Sequence, residues 1–149
     1  LAMLYHAQRK YAQAEPLYRQ VLVASPGLYQ AQYLLAVLLY QQQRLTEAAA
    51  AAAAALKLSP EAVESLLLKG VILQALGSSE EALASLTAAT GRQPAHAEAW
   101  YNQGVVLAGL GRQDEAVAAF DRALALRPGA PVWVNARRVF SASTSATAA

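Results

Sequence analysis

Residue types that could perform catalysis are few and scattered in this sequence. Its 149 residues include no cysteine and two histidines, His6 and His96, which lie in distant parts of the chain. Metal sites and acid–base pairs need several such groups close together in space. We therefore expect structural or solvent-exposed roles for both histidines. We predict no catalytic residue, no metal and no cofactor.

The acidic pairs and the glycines have simpler structural interpretations. Glu80-Glu81 and Asp114-Glu115 directly follow turn sequences, where they would stabilise the positive end of a helix dipole. Gly109-Leu110-Gly111 is similar to the start of a dinucleotide-binding loop, but neither a third glycine nor a strand pattern accompanies it. The nucleophile-elbow, zincin and P-loop patterns are missing too. These observations favour a binding protein over an enzyme.

Composition narrows the class of partner. Hydrophobic residues make up 56% of the chain and charged residues 15%, and the many alanines favour packed helices. The formal net charge of +2 is too small for nucleic-acid binding driven by counterion release. No apolar run reaches the roughly 18 residues of a membrane span, so we predict no membrane insertion.

Since the first residue is Leu1, we expect the sequence to be a piece of a longer protein. Its cellular compartment stays open, with the cytoplasm slightly favoured.

A repeat governs the order of residues along the chain. Prolines recur every 34 residues, at Pro26, Pro60, Pro94 and Pro128. Alanines keep the same interval twelve residues earlier, at Ala14, Ala48, Ala82 and Ala116. Apolar residues follow each alanine at helical spacing, and a second apolar helical pattern precedes it. The pattern therefore predicts two helices in each unit. It also predicts that Gly77 and Gly111 end the first helix of their units in the left-handed conformation.

Small residues have a steric purpose in this pattern. Gly104 and Ala116 would let the two helix backbones of a unit approach closely, while Trp100, Leu107 and Phe120 fill the space beside them. We expect Gly104→Leu to overpack this contact. A single hairpin cannot bury its apolar face alone, so successive hairpins must stack into an all-α array.

These residues closely resemble the tetratricopeptide repeat (TPR) family. The unit 97–130 matches at the positions Trp100, Gly104, Leu107, Ala116, Phe120, Ala123 and Pro128. The unit 63–96 matches nearly as well, whereas the unit 29–62 has Gln32 at the aromatic position and should pack more loosely. The unit 1–28 looks like a truncated repeat. The resemblance implies a right-handed α-solenoid, the TPR superhelix.

The residues after the last repeat resemble the capping helix of a TPR array. Segment 131–140 places Trp133, Ala136 and Phe140 on one helical face. Segment 141–149 is a tail of serine, alanine and threonine, which we expect to lack structure of its own. We also expect the tail to be held by a groove of this chain or of a second copy.

The TPR resemblance implies a concave groove lined by the first helix of each repeat. Its slots predict a peptide-binding set consisting of Tyr33, Val37, Tyr40, Leu67, Val71, Gln74, Tyr101, Asn102 and Val105. Leu34 and Leu68 occupy such slots too, but lateral packing between repeats is the favoured interpretation for them. Because tyrosines are enriched at interfaces, we expect Tyr101→Ser to impair binding and to spare stability. The basic clamp that some TPR adaptors use for a terminal carboxylate is missing, with Glu64 and Glu98 at its first slot.

The sequence thus predicts a non-enzymatic protein–protein interaction scaffold. Its groove would bind a peptide or helix of a partner through apolar and aromatic contacts. Two alternatives stay open. One is a substrate-recruiting segment of a larger enzyme similar to glycosyltransferases or sulfotransferases. The other is homo-oligomeric assembly, with self-association through the N-terminal flank or the C-terminal tail.

Overall fold

The fold consists of helices joined by short turns. The structure, a computed structural model, describes the backbone of residues 2–148 and the side chains of residues 2–4 and 8–139. Nine helices and no strand occur in this part of the chain. Their bounds are α1 Ala2–Ala7, α2 Tyr11–Ala24, α3 Tyr29–Gln41, α4 Leu45–Leu58, α5 Val63–Ala75, α6 Ser79–Arg92, α7 Ala97–Gly109, α8 Gln113–Leu126 and α9 Pro131–Ala148.

The chain divides into two compact units, residues 1–76 and 77–149, which are described separately. In unit 1, helices α2, α3, α4 and α5 contribute to one buried apolar cluster, whose largest members are Tyr18, Leu35, Leu38, Leu39 and Ile72. In the α3–α4 hairpin the facing positions are alanines that are completely buried, among them Ala36, Ala48 and Ala52. The small residues that the repeat pattern places between the two helices are therefore buried in the hairpin.

Unit 2 contains α6 to α9, and its central contact joins a glycine to an aromatic ring. Phe120 on α8 is completely buried. A Cβ atom on Gly104 of α7 would lie 2.7 Å from the Cε1 atom of that ring, well inside van der Waals contact. Gly104 is therefore required because Phe120 occupies the space where its side chain would stand.

The turn inside each hairpin uses a left-handed residue at one repeat position. Gly77 and Gly111 have φ angles of 84° and 80°, as predicted. In the first two repeats the same position holds Arg9 and Gln43, with φ angles of 60° and 62°. Left-handed backbone costs a residue with a Cβ atom about 1–2 kcal/mol, so these two turns are strained. Ser78 is the N-cap residue of α6, but its side chain makes no capping hydrogen bond.

Helix α9 closes the last hairpin but is longer than predicted. Trp133 is buried on its inner face, and Arg137 Nε donates a 2.7 Å hydrogen bond to the Asp121 carboxylate of α8. The helix continues to Ala148, so the predicted tail from residue 141 has helical backbone rather than no structure of its own. Alanine has the highest helix propensity, and elongating an existing helix avoids the unfavourable nucleation step. The predicted docking of the tail concerns side chains outside the described residues.

Candidate functional site

Three predicted contact residues lie on one face of α3. Tyr33, Val37 and Tyr40 are separated by four and three residues, which places them on the same side of the helix, and all three are half-buried. Tyr40 and Leu34 also pack against the core of unit 1. This face of α3 therefore presents aromatic and aliphatic side chains. The core of unit 1 supports it through its contact with Tyr40.

Tyr33 is oriented by two residues that sequence reasoning missed. Its ring stacks on Tyr29, with centroids 6.1 Å apart and an angle of 15° between the planes. The Tyr29 hydroxyl is in turn 2.7 Å from the hydroxyl of Ser65 on α5, within hydrogen-bonding distance. Ser65 is completely buried. The stacking follows from the four-residue spacing of the tyrosines, but no sequence signal reveals that a serine of the next repeat is the partner.

Helix α5 carries the other three predicted residues of unit 1. Leu67, Val71 and Gln74 repeat the spacing found on α3 and are half-buried as well. Helices α3 and α5 are in direct contact. Leu68 packs against the core cluster, in agreement with its predicted lateral packing. These three residues hold the same repeat positions as Tyr33, Val37 and Tyr40, and we refer to the six residues together as the α3/α5 face.

In unit 2 the predicted residues Tyr101, Asn102 and Val105 are half-buried on α7. The Tyr101 ring stacks on Trp133 of α9, with centroids 5.2 Å apart, and it contacts Phe120 at 5.7 Å. Tyr101 thus holds the capping helix against the last hairpin. The expectation that Tyr101→Ser spares stability is wrong, because the substitution removes two aromatic contacts.

Ion pairs are concentrated at the second helices of the hairpins. In unit 1, Glu15 on α2 binds Arg44 at the start of α4, and Arg44 also binds Glu47 at 2.7 Å. The hydrogen bond from Arg44 holds the pKa of Glu15 below its ordinary value of 4.5. In unit 2, Arg112 pairs with Glu115 at 2.7 Å. These pairs are exposed or partly exposed, and their carboxylates are already matched by guanidinium groups rather than poised for acid–base chemistry.

The residues considered for catalysis have structural positions. His96 is the N-cap of α7, where its Nδ1 atom accepts a hydrogen bond from the Ala99 amide at 3.2 Å. The His6 side chain lies outside the described residues. The acidic pairs stand in the first turns of α6 and α8, and Gly111 lies in the turn after α7. Within the described side chains, no three His, Cys, Asp or Glu residues are placed to hold a metal ion.

Helical hairpins of this length, with a small residue facing an alanine and a proline after the second helix, define a class of helical-repeat proteins. A family model described as the tetratricopeptide repeat matches residues 1–63 and 67–131. The chain belongs to the tetratricopeptide repeat family, and the predicted all-α TPR solenoid is confirmed as its fold class. No curated protein gives a significant match. No helix within residues 2–148 combines the length and apolarity needed to cross a lipid bilayer.

Solved structures give the same fold. MamA from Desulfovibrio magneticus RS-1 is 18% identical with a TM-score of 0.91, and the match covers 97% of this chain and 81% of MamA. YrrB, described as a TPR protein with an unusual peptide-binding site, is 25% identical with a TM-score of 0.85 and coverages of 92% and 71%. The first TPR of Spaghetti (RPAP3), bound to the HSP90 peptide SRMEEVD, is 16% identical with a TM-score of 0.77 and coverages of 78% and 93%.

Proposed function

We propose that this protein is a non-enzymatic scaffold that binds a peptide or helix of a partner protein on its α3/α5 face. The observation that supports this most strongly is the set of half-buried aromatic and aliphatic side chains on two adjoining helices, with Tyr33 already oriented by Tyr29. A ring that is fixed before binding loses little conformational entropy on binding. Tyr101, Asn102 and Val105 of α7 are proposed as further contacts.

Two structural relatives support peptide binding as the kind of function. YrrB has a peptide-binding site by its description, and the Spaghetti TPR carries an acidic HSP90 peptide. This chain should prefer a different ligand. Glu64 and Glu98 are exposed at positions where an acidic peptide would need cations. We therefore propose an uncharged peptide with apolar or aromatic side chains, bound mainly by burial of apolar surface.

The salt dependence of binding tests the proposed chemistry. Peptides without tryptophan would be selected from a random library on the immobilised protein. Their dissociation constants would then be measured by calorimetry. Between about 20 mM and about 150 mM salt, the dissociation constant should change by less than about threefold, because few charges are involved. A weakening by orders of magnitude would show that ion pairs drive binding.

Substitution of Tyr33 tests the proposed location. Tyr33→Ala should weaken binding about tenfold or more, as expected for an aromatic anchor at an interface. The exposed Leu58 at the end of α4 provides a control, and Leu58→Ala should leave the affinity unchanged. Equal affinities for the wild-type protein and Tyr33→Ala would rule out the α3/α5 face around this residue.

A further inference from the structure

A pocket lies on another side of α3 in unit 1. Its walls come from α2 and the following turn, and its floor comes from α3; the lining residues are Arg19, Leu22, Val23, Pro26, Gln32 and Leu35. The pocket is open and has a volume of about 460 Å³, within the usual range for ligand sites. Gln32 and Leu35 are on a different face of α3 from Tyr33 and Val37, since the helix turns about 100° per residue.

The same chain shows what fills this position in another repeat. Two repeats further on, Trp100 stands at the position of Gln32 and Pro94 at the position of Pro26. The Trp100 indole Nε1 donates a 2.8 Å hydrogen bond to the carbonyl oxygen of Pro94. The guanidinium carbon of Arg122 lies 5.1 Å from the centroid of the Trp100 ring. Unit 2 therefore holds an indole between a carbonyl acceptor and a cation.

Two further residues that line the pocket differ from those at the same repeat positions in unit 2. In unit 2 the Thr90 hydroxyl donates a 3.0 Å hydrogen bond to the Gln103 side-chain oxygen. In unit 1 the equivalent positions are Leu22, which is half-buried, and Leu35, which is buried. Unit 1 thus has a glutamine in place of the aromatic side chain and two leucines in place of the hydrogen-bonded pair. A ligand ring would gain binding free energy by burial against these apolar side chains.

We propose that this pocket, which we name the Gln32 pocket, binds the indole of a tryptophan side chain in a partner peptide. The indole would pack on Leu22, Val23 and Leu35, which line the pocket. Its N–H would donate to the Pro26 carbonyl. Arg19 supplies the cation; its side chain is half exposed, and its guanidinium pairs with Glu15 at 3.2 Å and with Glu47 at 3.8 Å. This site is separate from the α3/α5 face and extends the proposed function.

The hydrogen-bond donor distinguishes indole from other apolar groups. N-acetyl-tryptophanamide, added to the isotope-labelled protein, should cause saturable NMR shifts at Leu22, Val23 and Leu35. N-acetyl-leucinamide should cause none there at the same concentration. The derivative methylated on the indole nitrogen should bind about two- to tenfold more weakly, which corresponds to the loss of one hydrogen bond. Absence of shifts with the tryptophan compound, or equal shifts with the leucine compound, would overturn the proposal.

Two variants test the position of the pocket. Gln32→Trp should fill the pocket with the chain's own indole, raise the denaturant midpoint and abolish binding of N-acetyl-tryptophanamide. Val23→Ser removes an exposed part of the wall without disturbing the core, and it should weaken binding several-fold. Val21→Ser on the same helix, outside the pocket, is the matched control and should bind like the wild-type protein. Binding that survives in Val23→Ser at wild-type strength would contradict the proposal, even if Gln32→Trp fails to fold.

Discussion

Replacing Gly104 by alanine tests the steric basis of the repeat. The added Cβ atom would stand 2.7 Å and 2.8 Å from two carbon atoms of the Phe120 ring, where an ordinary contact is about 3.5–4.0 Å. The ring is completely buried and has Tyr101 beside it, so it cannot move without disturbing its neighbours. Overpacking of this kind costs about 1–3 kcal/mol, and the better helix propensity of alanine returns about 1 kcal/mol. We expect a net loss of about 1 kcal/mol.

Urea denaturation followed by circular dichroism measures this loss, and a second glycine provides the control. Apart from the residues next to it and the backbone of its own helix, Gly91 on α6 has no heavy atom within 4 Å of where its Cβ would stand. Gly91→Ala should therefore stabilise the protein by up to about 1 kcal/mol. Adding Phe120→Leu to Gly104→Ala should recover part of the loss, because the smaller side chain leaves room. If Gly104→Ala stabilised the protein as much as Gly91→Ala does, the proposed contact would be refuted.

Three further predictions concern turns, charge and the cap. Gln43→Gly should raise the free energy of unfolding by about 0.5–1 kcal/mol in urea titrations, because glycine relieves the left-handed strain. Because Arg44 lowers the pKa of Glu15 in the folded state, their pair stabilises the fold above pH 4.5, and this contribution disappears as the pH falls through the lowered value. Glu15→Gln should therefore reduce the difference between unfolding free energies measured at about pH 7 and about pH 3. Tyr101→Ser should lower the unfolding free energy by about 2 kcal/mol or more, through lost burial and the lost stack on Trp133.

The helical hairpins could be predicted because their signals are local and periodic. Prolines at a fixed interval mark the ends of second helices, and small residues at fixed positions mark the closest contacts. Gly77 and Gly111 indicate their turns in the sequence. Arg9 and Gln43 adopt the same left-handed conformation although neither is a glycine. There the flanking helices impose the turn geometry, and tertiary structure outweighs the preference of the residue.

Contacts between distant residues could not be predicted from spacing. The pairing of Tyr29 with Ser65 joins different repeats, and the stacking of Tyr101 on Trp133 depends on how α9 docks. The looser packing predicted for the unit 29–62 stays a prediction, although a pocket lies beside Gln32. Only the structure, however, shows that Pro26 and two leucines surround that pocket.

An NMR chemical-shift map of the labelled protein with a selected tryptophan-free peptide tests the central claim most directly. Binding on the α3/α5 face predicts the largest shifts at Tyr33, Val37, Tyr40, Leu67 and Val71. The opposite result would be shifts concentrated on α2 and α4, around Arg19 and Ala50, with the α3/α5 residues unaffected. That pattern would contradict the proposed peptide-binding face.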